Sequence, residues 1–201
     1  MNIIISISVF LIVVVIHELA HGYTALRLGD DTAEKAGRLT LNPVAHIDPV
    51  GTVLLPAILI YSGSPVIFGW AKPVPIDMRK FRDPVKGMLV TGAAGPLSNL
   101  VLALLFALPV RTGIVSVNSV PGAFCLTGVV ISLVLGVFNL VPVPPLDGSH
   151  VLMAVLPRDL RRYYAKAERF GFIILIGLLY LGLIDRVVLP VVALLTRFIL
   201  G

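Results

Sequence analysis

A chain of 201 residues could hold one large or two small soluble domains. Its composition excludes both: 57% of residues are hydrophobic and only 13% charged, where soluble domains carry about 25% charge, and the mean hydropathy is +0.99. The formal charge of +5 sits in short loops beside apolar segments, which suits an anionic membrane surface and gives no reason to expect a nucleic-acid partner.

The chain opens with an uncharged apolar run, Met1 to Ile16, that continues directly into His17-Glu18-Leu19-Ala20-His21. The run has no basic start and no small-residue cleavage pattern, so it reads as a first helix over about Ile3 to Leu28, ended by Gly29, and not as a removable leader. Weak alternation over residues 37–44 suggests an extended hairpin at the membrane interface. Residues 50–61 are apolar but too short for a span of about 20 residues, and Gly51 and Pro56 interrupt them, so a re-entrant or broken segment is expected. The loop from 62 to 86 carries Trp70 and the bases Lys72, Arg79, Lys80, Arg82 and Lys86.

Residues 87–110 and 120–141 read as two further spans, the second ending in the proline-rich stretch Pro142 to Pro145. A basic interfacial stretch over 157–169 follows, and then two short apolar segments, 170–184 and 187–200, expected to form a C-terminal transmembrane hairpin about Asp185-Arg186. The expected fold is an all-α polytopic membrane protein of about five to six apolar segments, with a small extended or re-entrant element after the first helix. Residues 1–156 form the expected core, and 157–201 the basic stretch and hairpin. Placing the basic residues after the first helix, the 72–86 loop and the 158–169 stretch on the cytoplasmic side puts the N-terminus outside. The single cysteine, Cys125, excludes an intrachain disulfide and reads as a packing residue.

His-Glu-x-x-His on a helix stacks two imidazoles at i and i+4 on one face and sets a glutamate close enough to act as a base. Here it lies roughly 16 Å from the end of the first helix, inside the cytoplasmic leaflet, where metal chemistry needs a water-accessible cavity. A polar His-Glu-His cluster is costly in lipid, and merely joining helices would not require this spacing.

Catalytic zinc commonly takes three protein ligands and keeps one position open. Asp147 is the leading third ligand, because the prolines before it stiffen its arm and Gly148 permits close backbone approach. His150, His46 and Asp48 are the rivals. Asn139 reads either as a hydrogen-bond donor to a developing oxyanion or as a cap on the helix that breaks there. Asn99 reads either as a structural residue or as one that binds the substrate backbone; helix packing is the favoured reading, with Gly92 and Gly95 allowing close approach. A catalytically silent scaffold for partner helices and a metal transporter are the alternatives to an enzyme.

The stretch His17-Glu-Leu-Ala-His-Gly22, paired with Asn139…Pro142…Pro144…Leu146-Asp147-Gly148, resembles the two signature motifs of the site-2 protease family of intramembrane zinc metalloproteases. Asn42-Pro43, His46-Ile-Asp-Pro49, Gly69 to Pro75 and Ala94 to Asn99 are similar to further segments of that family. The resemblance implies Zn2+ held by His17, His21 and Asp147, with Glu18 as catalytic base. It implies a minimal form without a PDZ domain, acting on transmembrane protein substrates by regulated intramembrane proteolysis. The expected location is a prokaryotic plasma membrane.

Overall fold

The computed structural model describes residues 2–63 and 69–201; Met1 and residues 64–68 of the 62–86 loop lie outside the described residues. Helix α1 runs Ile3–Arg27, its first turn capped by the Asn2 side chain accepting from Ile4 N. It stops where the sequence predicts: Gly29 takes φ 110°, a left-handed conformation that an L side chain resists. A single turn, α2 (Thr32–Lys35), follows. Among the described residues no strand forms, so the hairpin expected over 37–44 is absent. Pro43 instead starts a 3-10 turn, Pro43–His46, with Asn42 accepting from Val44 N. A π-helical turn, Pro49–Leu54, then leads into α3 (Leu55–Tyr61).

After the loop, Asp83 caps α4 (Pro84–Arg111) by accepting from Val85 N and Lys86 N, with Pro84 in the first turn. Ser119 caps α5 (Val120–Asn139) in the same way. Helices α6 (Asp147–Val155), α7 (Arg158–Ala167), α8 (Gly171–Tyr180) and α9 (Leu189–Leu200) complete the chain. The segments expected as a C-terminal hairpin are α8 and α9. They belong to a pair of helices bent by 70°, with Gly182 at φ 87° in the break.

Among the described residues three helices, α1, α4 and α5, are long and apolar enough to cross a membrane. Side chains such as Ile3, Ile4, Leu105 and Phe198 are exposed, as lipid contact requires. The interior has two ends. Ala103, Ala107, Val129, Leu133, Val188 and Val192 form a core between α4, α5 and α9. At the other end, small residues of α4 admit α1 and α6 to close range, and the polar residues collect there.

Candidate metal centre

On α1 the i, i+4 spacing brings His17 and His21 together, both buried. Their rings meet edge to face, with centroids 4.7 Å apart and Nε2 atoms separated by 3.0 Å. Asp147 opens α6 and sends Oδ2 to 3.1 Å from His17 Nε2 and 3.2 Å from His21 Nε2. Gly148 explains how α6 starts so tightly against the end of α5: a Cβ there would overlap the carbonyls of Leu140 and Val141. Asp147 does not cap its helix, because its carboxylate turns to the imidazoles.

One face of α4 backs this cluster. The Thr91 carbonyl accepts from His21 Nδ1 at 2.7 Å. A carbonyl can only accept, so Nδ1 of His21 carries a proton, and in the neutral imidazole Nε2 then carries the lone pair. A Cβ on Gly95 would strike His21 Nε2 and two ring atoms of His17, and one on Gly92 would strike His150 Cβ and approach the Asp147 carbonyl. Asn99, fully buried, sets its Nδ2 3.0 Å from His17 Nδ1. Thr91, Gly92, Gly95 and Asn99 thus hold both histidines and the aspartate arm from behind.

The three facing atoms form a triangle with sides of 3.0, 3.1 and 3.2 Å. Its circumscribed radius, 3.1 Å divided by √3, is about 1.8 Å, just inside the 2.0–2.2 Å reach of zinc–nitrogen and zinc–oxygen bonds. Asp147 Oδ2 is buried and makes no well-formed hydrogen bond. Two imidazole nitrogens and a carboxylate oxygen converging in this way repel one another unless a proton or a metal cation lies between them. The donor set fits Zn2+. Among the described residues, His17, His21 and Asp147 are the one group of three metal-type ligands so close together.

Glu18 and His21 line a cavity of about 270 Å³ beside the triad, together with Val74, Thr91, Asp147 and His150. Glu18 Oε2 accepts from Val74 N at 2.8 Å, which holds the carboxylate at the cavity wall. His150 lies next to the triad but outside it; burial pushes its imidazole down, so it is neutral at neutral pH. Asn139, at the end of α5, donates from Nδ2 to Leu135 O and is not among the lining residues. His46 and Asp48 serve local turns: His46 Nε2 pairs with Thr40 O, and Asp48 accepts from Val50 N and Gly51 N. The Val74 N–H and the Thr91 carbonyl are backbone groups that residue-type reasoning does not flag. Asn99 carried a weak signal, the shared helix face of Gly92, Gly95 and Asn99.

Residues 109–182 match the model of "Peptidase family M50". Over 181 residues the chain is 39% identical to "Putative zinc metalloprotease YwhC" of Bacillus subtilis, covering 87% of this chain and 79% of that protein. It is 30% identical over 190 residues to "Putative zinc metalloprotease Rip2" of Mycolicibacterium smegmatis, covering 91% of this chain and 69% of that one. The chain belongs to peptidase family M50. No solved structure matches it. As an M50 peptidase with a cluster of two buried histidines and a part-buried aspartate, the chain is a metalloendopeptidase of the membrane, and zinc is both the ion that its donor set fits and the metal in both relatives' names.

Proposed function

We propose that this chain is an intramembrane endopeptidase that hydrolyses a peptide bond in a locally unwound transmembrane helix of its substrate, as a step of regulated intramembrane proteolysis. The observation that carries the reading is the His17–His21–Asp147 triad beside Glu18 at a cavity wall, in a chain with three membrane-length helices. His17, His21 and Asp147 hold Zn2+, which when bound supplies a Lewis acid for a carbonyl oxygen and makes water more acidic. Glu18 takes the proton from the attacking water and returns it to the leaving amine. The Val74 N–H keeps the Glu18 carboxylate turned toward the cavity. Asn139 stabilises charge on the carbonyl oxygen only if its side chain leaves Leu135 O when substrate binds.

We place the protein in a prokaryotic plasma membrane as a multi-pass protein of five to six apolar segments, with 50–61 re-entrant and the triad in the cytoplasmic leaflet. The basic stretches over 72–86 and 158–169 support that side. In this division residues 1–156 form the catalytic core and 157–201 an interfacial stretch with the C-terminal apolar pair.

The test uses detergent-purified protein and a single-span substrate. Glu18→Gln keeps zinc and lowers cleavage by about 10²–10⁴-fold, the scale of general acid–base catalysis. Asp147→Ala loses both zinc and cleavage. Full cleavage by Glu18→Gln would overturn the reading.

A further inference from the structure

His21 has its tautomer fixed by a backbone carbonyl, whereas His17 depends on a side chain. Asn99 is fully buried, and its Nδ2 lies 3.0 Å from His17 Nδ1. Its Oδ1 is buried without a hydrogen-bond partner among the described residues. The nitrogen and oxygen of an amide have the same shape, so the network of neighbours decides which is which. If Nδ2 donates to His17 Nδ1, the imidazole proton must sit on Nε2, between the ring and Asp147 Oδ2 3.1 Å away. That proton occupies the position where the metal must bind. With the amide turned by 180°, Oδ1 gains a donor in His17 Nδ1–H, and Nε2 presents a lone pair, as His21 Nε2 already does.

We propose that Asn99 is a positioning residue for the metal: its Oδ1 accepts from Nδ1–H of His17 and fixes the tautomer in which Nε2 is a ligand. The proposal rests on reading the triad as the zinc centre. Helix packing alone does not call for an amide here. A leucine has nearly the same shape, and α5 already accommodates the side chain with a glycine, since a Cβ on Gly136 would lie 3.2 Å from Asn99 Cβ. Hydrogen-bond partners of ligand histidines orient the ring and raise its basicity, and their loss commonly costs about 10–100-fold in metal affinity.

The experiment uses the full chain in detergent and measures zinc affinity by competition with a chromophoric chelator, alongside melting of the zinc-free protein. Asn99→Leu should bind zinc about 10–100-fold more weakly while melting no lower than wild type without metal. Asn99→Asp, which can only accept, should stay within a few-fold of wild type. Wild-type affinity in Asn99→Leu overturns the proposal, and so does weak binding in Asn99→Asp, which would make the amide nitrogen the working atom. Should Asn99→Leu fail to fold, ¹⁵N-histidine spectra of zinc-free wild type decide it, with His17 identified by the signal missing in His17→Ala. A proton on Nδ1 upholds the proposal and one on Nε2 overturns it. A wild-type protein that takes up no zinc would instead overturn the metal centre itself.

Discussion

Gly95 lies against the ring atoms of both ligand histidines, and a Cβ there would overlap His21 Nε2 and approach His17 Cε1 and Nε2 to 2.6 and 2.7 Å. In an exposed helix, Gly→Ala favours the helix by up to about 1 kcal/mol. At this position overpacking opposes the gain, on a typical scale of about 1–3 kcal/mol, and displaces two ligands together. Gly95→Ala should therefore lower zinc affinity at least tenfold without raising the melting temperature, both read in one chelator titration and thermal scan. The meeting of His17, His21 and Asp147 was legible in the sequence, because helix geometry links i to i+4 and because few side chains bind metals. Asn99 was not, since its partner lies 82 positions away and an amide in an apolar helix looks like packing until a neighbour is known. Asn139 is the reverse case: a motif residue whose amide returns to its own helix.

The stretch beside the cavity is 71–77, which has no regular secondary structure, and not 37–44, the expected hairpin. Pro73 and Pro75 bias it toward extended conformations. Three of its backbone N–H groups tie this strap to distant parts of the chain. Lys72 N donates to His46 O, Val74 N to Glu18, and Asp77 N to Asp30 Oδ2 at 2.7 Å. Asp30 is fully buried at the end of α1, accepts from Thr32 N as well, and has Lys80 Nζ 3.8 Å away. Asp30→Ala leaves at least two N–H groups without an acceptor, at about 1–3 kcal/mol each, and removes one of the two bonds that tie the strap to α1 and its end. We expect it to destabilise the fold by about 2–4 kcal/mol in denaturant unfolding and to slow cleavage while zinc affinity stays within a few-fold. Asp30→Asn, which keeps an acceptor, should lose less. The prolines of the strap were visible in the sequence, but its anchors are backbone N–H groups, which no residue pattern identifies.

The long apolar segments could be read directly, because burial in lipid leaves almost no charge over a full helix length. How they assemble could not: the 70° bend in the C-terminal pair and the service of one α4 face to both α1 and α6 depend on small residues whose neighbours are distant in sequence. The triad joins the first helix to α6 across that face, so on the proposed ligand assignment bound zinc cross-links distant parts of the chain. A ligand that binds only the folded state stabilises it by about 2.7 kcal/mol at 100 times its dissociation constant. Stripping zinc with a chelator should therefore lower the melting temperature of the wild-type protein reversibly, and added zinc should restore it. Glu18→Gln, with all three ligands intact, should show the same shift as wild type. His17→Ala and Asp147→Ala should melt near the stripped protein and respond little to either treatment. A full zinc-dependent shift in Asp147→Ala would mean that the ion sits elsewhere, because only the α1 and α6 ligands together can transmit its binding energy between those two elements.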